Sequence, residues 1–114
     1  MDNRLIPLEP LSQVVFIHDY FQLVFREERL TVYNRAAVAN GESLIWHGAT
    51  GFCDKLVGLI GQGVVAVTRT DAYVLCLHFS NGAAFYIEAD HEPSWPEAFD
   101  FIGRNLFWYH ELNG

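Results

Sequence analysis

The first half of the chain alternates apolar and polar positions at the two-residue period of β-strands. Apolar runs occupy residues 14–17, 21–25 and 30–33, and a charged connection at residues 26–29 joins the second run to the third. Successive side chains of a strand point to opposite faces of its sheet, so this pattern favours strands over helices. We therefore predict a strand followed by a β-hairpin.

The second half repeats this order of apolar runs and polar turns. Strand-like runs cover residues 64–68, 73–79 and 83–87, and Asn81-Gly82 separates the last two. Asn-Gly is the strongest short-range hairpin signal, because a type I′ turn requires positive φ at both central residues. We expect a second hairpin there.

The two halves align when Leu23 is placed over Leu77, an offset of 77 − 23 = 54 residues. The alignment predicts one domain over residues 1–114 with an internal repeat at about 12–62 and 63–108. No low-complexity linker separates the halves, so we expect them to share one sheet.

Each unit also ends near a candidate helix. The first candidate is residues 54–60, which are amphipathic and are followed by Gly61 and Gly63. The second begins at Ser94, which has capping-box spacing to Glu97. Its apolar positions would face the sheet; they are Ala98, Phe99, Ile102 and Leu106.

These elements predict an α+β fold. Its antiparallel sheet is built from two β-β-β-α units, and two short helices pack on that sheet. The pattern of residues 36–50 does not specify one secondary structure: residues 36–39 fit an extension of the preceding strand, and residues 44–46 fit a short strand of their own.

Composition is that of a folded, soluble domain. The 114 residues are 51% hydrophobic and 18% charged, far from the signature of a disordered chain. No apolar run approaches the roughly 20 residues that a membrane helix needs, and the N-terminus does not resemble a secretory leader. A cytoplasmic protein without membrane contact is the expectation.

Charge narrows the class of partner. Fourteen acidic residues against seven basic ones give a net charge of −7, and residues 86–114 carry one base and six acids, 1 − 6 = −5. Phosphate backbones would be repelled, which argues against nucleic-acid binding, whereas a basic protein would be attracted. The alternative is that the acids only maintain solubility.

Candidate catalytic and metal-binding residues do not assemble into a motif. The histidines at positions 18, 47, 78, 91 and 110 lack helical i, i+4 spacing and accompany no Cys-x-x-Cys pair. Cys53 and Cys76 are expected to be buried, reduced thiols, although Cys53 precedes a predicted helix and Cys76 shares a strand face with His78. We predict no catalytic residue, no metal site and no cofactor.

Two further motifs have plain structural interpretations. Residues 58–63 contain three glycines but leave a predicted helix, whereas phosphate loops enter one. The carboxylates of Glu27 and Glu28 lie in a turn-like segment, and we expect both to be solvated.

The C-terminal quarter combines acids with large aromatic rings. Most of these rings are expected to fill the core, but Trp and Tyr inside an acidic rim also form effective protein-binding surfaces. The candidate partner-binding residues are Glu88, Asp90, Glu92, Trp95, Glu97, Asp100, Trp108 and Glu111.

The order of runs between Val64 and Ile87, followed by Pro96-Glu97-Ala98, resembles small bacterial immunity proteins of polymorphic toxin and contact-dependent inhibition systems. The resemblance implies an acidic cytoplasmic protein that binds a cognate toxin domain, often a basic nuclease, and neutralises it. Two other classes stay open. One is a self-associating structural or regulatory module, including a homodimer. The other is an enzyme, which would need a polar pocket at His78 and Cys76 or at His47 and Cys53.

Overall fold

The computed structural model describes residues 6–33, 35–71, 74–88, 99–103 and 106–109. These residues form ten strands and one short helix. The elements are β1 (Gln13–Phe16), β2 (Phe21–Phe25), β3 (Glu28–Val32), β4 (Ala36–Asn40), β5 (Ser43–Trp46), α1 (Phe52–Val57), β6 (Val64–Asp71), β7 (Val74–Phe79), β8 (Ala84–Glu88), β9 (Phe99–Gly103) and β10 (Leu106–Tyr109).

The strands form two antiparallel sheets rather than the single shared sheet expected from the sequence. The first sheet has the order β1-β2-β3-β9-β10, and the second has the order β5-β4-β8-β7-β6. The α+β prediction is therefore wrong. The fold is mostly β, with two sheets whose inner faces supply one hydrophobic core.

Each sheet joins a three-stranded meander from one half of the chain to a hairpin from the other half. The meander β1-β2-β3 receives the hairpin β9-β10, and the meander β6-β7-β8 receives β4-β5. In each of the two hairpins, two residues separate the last paired positions, which are Asn40 and Ser43 in one hairpin and Gly103 and Leu106 in the other. The repeat boundaries at 12–62 and 63–108 stay a prediction, but the halves are interlocked by this exchange.

Alternate residues of the inner strands fill the space between the sheets. Phe21 of β2 lies 6.0 Å from Phe85 of β8 and 5.8 Å from Phe52 of α1, measured between ring centroids, both in edge-to-face geometry. All three rings are buried. Edge-to-face packing places the positive edge of one ring on the negative face of another and so adds to the gain from burial.

Helix α1 is shorter than predicted, and the second predicted helix is absent from the described residues. Phe52 and Leu56 form the buried face of α1, which packs on the core, and the helix ends before Gly58. The proposed helical positions Phe99, Ile102 and Leu106 lie in β9 and β10 instead. Their spacing suited a helix, but β9 pairs with the open side of β3.

The turns also differ in detail from the prediction. The hairpin at Asn81-Gly82 exists, but φ is positive only at Gly82, so the turn is not type I′. Gly82 N–H donates to the carbonyl of Phe79, and Phe79 N–H donates to the carbonyl of Ala83. This pattern is a type I turn followed by a left-handed glycine. The Asn81 side chain accepts a hydrogen bond from Ala83 N–H at 3.0 Å.

Within the part of the chain that the structure describes, no helix is long and apolar enough to cross a membrane.

Candidate functional site

The outer face of the second sheet carries small residues between large ones. Val38, Phe85 and Leu77 lie opposite one another and point into the core, so their sequence neighbours point outward. One outward row across the sheet consists of Trp46, Ala37, Tyr86, Cys76 and Thr68. The next consists of Leu44, Ala39, Ala84, His78 and Ala66.

A groove of about 310 Å³ lies on this face, where the small side chain of Ala39 in β4 leaves room between β5 and the strands β8 and β7. We call it the β5 groove. Leu44 at its wall is 52% exposed, and Trp46 and Tyr86 are half-buried. Glu42 and Glu88 add carboxylates to the lining. The complete lining is Ala39, Gly41, Glu42, Ser43, Leu44, Trp46, Val74, Tyr86 and Glu88.

Arg35 fixes one end of the groove. Its guanidinium carbon lies 4.0 Å from the centre of the Trp46 ring, which is a cation-π contact. The same guanidinium lies 3.7 Å from Oε1 of Glu88, and the Arg35 carbonyl accepts the Glu88 N–H at 2.8 Å. Arg35 therefore orients Trp46 and partly neutralises Glu88. No ion pair among the described residues involves Glu42 at the other end.

The centre of the outer face holds a thiol and a phenol in contact. Burial raises the pKa of Cys76, while its hydrogen bond to Tyr86 acts in the opposite direction. Charge repulsion from Cys76, followed by burial and that hydrogen bond, raises the pKa of Tyr86. Both groups are neutral at physiological pH, so this pair provides no nucleophilic thiolate.

In the structure, the histidines of the two proposed histidine-cysteine pairs contact residues other than those cysteines. Nε2 of His78 lies 2.9 Å from Oγ1 of Thr68. The ring of His47 packs 5.0 Å from Phe21 and 5.1 Å from Phe52, measured between ring centroids. Among the described residues no hydrogen bond joins either histidine to a cysteine, and no group of three His, Cys, Asp or Glu residues could hold a metal ion.

Two expectations about polar groups have separate outcomes, while the neighbouring His18 and Asp19 are both solvated, with side chains 93% and 83% exposed. Cys53 is exposed, so the prediction of two buried thiols is correct only for Cys76. Glu28 is 2% exposed, so the prediction that it is solvated is wrong. It lies in β3, and its Oε1 accepts the N–H of Leu8 at 2.7 Å.

A second depression of about 210 Å³ adjoins this buried carboxylate. It lies between the N-terminal segment and the β2-β3 turn, where Arg26 and Glu9 form an exposed ion pair at 3.7 Å. Arg26 and Glu9 already pair with each other and Glu28 already accepts the Leu8 N–H, so this depression is a weaker candidate than the β5 groove.

The predicted binding residues are only partly placed. Glu88 ends β8 and lines the β5 groove. Asp100 lies in β9 with its Cα opposite Thr31, and Trp108 lies in β10 with its Cα opposite Phe101. The other five lie outside the described residues: Asp90, Glu92, Trp95, Glu97 and Glu111.

Sequence reasoning missed most of the groove, including Glu42, Leu44, Trp46 and Tyr86. A signal was present, because the alternate positions Ala37 and Ala39 of β4 are both alanine and give one face of this strand only small side chains. Such a strand can leave a depression wherever its neighbours carry large rings.

Comparisons with protein-family models, with curated proteins and with solved structures find no match to this chain.

Proposed function

We propose that the protein is a non-enzymatic binding protein whose partner is a basic protein domain, and that the β5 groove is part of the contact surface. One observation carries the proposal. The groove combines the exposed Leu44 and two half-buried aromatic rings with two carboxylates, of which Glu88 is paired with Arg35, in a chain of net charge −7. Interfaces of this composition bind through aromatic and aliphatic anchors and attract partners of opposite charge.

The most concrete form of the proposal is a bacterial, cytoplasmic immunity protein that neutralises a cognate toxin domain. Its support is the resemblance in the order of apolar runs, together with the acidity of residues 86–114. Asp100 and Trp108, which lie in the first sheet, would then belong to a second region of contact with the partner.

The test uses the toxin domain encoded immediately upstream of this chain's gene. Calorimetry should detect a one-to-one complex, and co-production should protect cells that make the toxin domain. The association rate should fall as salt is raised, because exposed charges are screened beyond about 8 Å at physiological ionic strength. A toxin domain that neither binds nor loses toxicity in the presence of the protein would overturn the proposal.

A self-associating module is the second candidate. Leu44 on β5 and Val65 on β6 are both exposed and lie at opposite edges of the second sheet, an arrangement that suits edge-to-edge pairing between copies. Light scattering that reports a strict monomer at high protein concentration would exclude this candidate.

A further inference from the structure

We infer that the partner contributes an extended basic segment, and that this segment pairs with the edge of β5 beside the groove and places a Lys or Arg side chain near Glu42. The inference rests on the proposed function and names the chemistry of the partner at the same site. It is carried by the hydrogen-bonding pattern of β5 and by the position of Glu42.

Strand β5 pairs with β4 alone among the described residues. In an antiparallel pair, only alternate residues exchange backbone hydrogen bonds with the neighbouring strand. His47 N–H donates to the carbonyl of Ala36 at 2.8 Å, which fixes the alternation. Ser43 and Ile45 therefore also bond toward β4, whereas the backbone groups of Leu44 and Trp46 point away from it.

The open edge is short and well defined. The Trp46 carbonyl accepts the N–H of Ala49 at 2.9 Å, so its bonding is already partly met. Among the described residues, no other backbone hydrogen bond reaches the outward N–H and carbonyl of Leu44 or the outward N–H of Trp46. An added strand of three residues would satisfy them, which is the geometry of strand addition at a sheet edge.

The side chains beside this edge select a basic segment. Residues of an added strand would alternate between the groove side and the opposite side of the sheet. On the groove side they would meet Leu44 and Trp46, with Glu42 close to the start of β5. A Lys or Arg side chain fits both features, because its aliphatic stem packs on apolar groups while its charge reaches a carboxylate.

The direct test is amide exchange of the full-length, isotope-labelled protein by NMR. In the free protein, the N–H groups of Ser43 and Ile45 should exchange slowly, and those of Leu44 and Trp46 should exchange fast. Adding the upstream-encoded toxin domain should slow the Leu44 and Trp46 amides by about tenfold or more. A complex that forms while both amides keep their free exchange rates overturns strand addition and leaves the proposed function intact.

A defined probe separates the two proposals if the toxin domain does not bind. A peptide of alternating lysine and valine should slow the same two amides, and a matched peptide of alternating glutamate and valine should not. Failure of the toxin domain alone overturns the proposed function, whereas failure of the lysine peptide overturns the inferred recognition chemistry. If the Leu44 and Trp46 amides become protected from exchange as the concentration of the protein alone is raised, the inferred basic segment is overturned and the occupant of the edge is a second copy of this chain.

Two variants of one residue test the backbone contribution. Leu44→Ala removes the side chain and keeps the N–H, while Leu44→Pro also removes the outward N–H and leaves the bonds to β4 in place. Leu44→Pro should bind the toxin domain about tenfold more weakly than Leu44→Ala, provided that thermal unfolding shows it folded. Equal affinities of the two variants would contradict the inference.

Charge is tested by a second matched pair. Glu42→Gln should weaken binding about threefold or more, and Glu27→Gln, which removes an exposed charge from the other sheet, should leave the affinity unchanged. A larger effect at Glu27 would place the basic segment elsewhere.

Discussion

Arg26 stores backbone strain in the β2-β3 turn. Its φ is 69°, and among the described residues it is the only residue other than glycine with a positive φ. The left-handed region costs an ordinary side chain about 1 kcal/mol or more, because Cβ approaches the carbonyl oxygen. Its N–H donates to Oγ of Ser12 at 3.2 Å, which helps to hold the turn.

We therefore expect Arg26→Gly to raise the free energy of unfolding by about 0.5 to 1 kcal/mol, since relief of strain exceeds the loss of an exposed ion pair. Glu27→Gly is the matched control and should lower the free energy of unfolding, because Glu27 has no positive φ to relieve. Urea denaturation measures both variants. A destabilised Arg26→Gly variant would contradict the strained turn.

The two thiols should differ in reactivity, because Cys53 is exposed and Cys76 is buried. A thiol reagent should titrate one cysteine in the native protein and both after denaturation, and Cys53→Ser should abolish the native reaction. Rapid titration of both thiols in the native state would contradict the burial of Cys76.

The raised pKa of Cys76 also predicts a pH dependence of stability. The unfolded thiol ionises near its ordinary value of 9.0, while the folded thiol holds its proton to higher pH. Its contribution to stability is complete below pH 9 and is lost as pH rises through the folded-state pKa. Cys76→Ala should therefore lose stability less steeply than the wild type in alkaline buffer, as followed by denaturation at a series of pH values.

At the scale of the element, strand β6 contains two valines that differ in exposure to solvent. The register between β6 and β7 shifts between Val64 and Ala66, which leaves Val65 as the extra residue of a bulge, 60% exposed. Val67 is fully buried. Val65→Thr should change the free energy of unfolding by less than about 0.5 kcal/mol, while Val67→Thr should lower it by about 1 to 3 kcal/mol by burying a hydroxyl. Equal effects would contradict the assigned bulge.

Strands that coincide with short apolar runs were predictable from the sequence. The runs at 14–17, 21–25, 30–33, 64–68, 73–79 and 83–87 correspond to β1, β2, β3, β6, β7 and β8, because polar turn residues separate these runs. The hairpin β9-β10 was missed, since Phe99, Ile102 and Leu106 also fit helical spacing. Its strand state depends on pairing with β3, a partner far away in the sequence.

At the scale of the whole molecule, the same limit explains the candidate site. Glu88 was found from local charge, but the β5 groove needs β5, β4, β8 and β7 side by side. That order results from the exchange of hairpins between the two halves, and no local pattern specifies it. The exchange therefore decides both the two-sheet architecture and the position of the proposed binding surface.

The most direct test of this account compares two variants at opposite edges of the second sheet. Leu44→Lys and Val65→Lys each place a positive charge at an exposed aliphatic position, on β5 and β6 respectively. Calorimetry with the upstream-encoded toxin domain should show Leu44→Lys binding about tenfold or more weakly, because an apolar anchor is lost and the new charge repels a basic partner, and Val65→Lys binding like the wild type. Equal affinities of the two variants, or a loss only for Val65→Lys, would contradict the β5 groove as the binding surface.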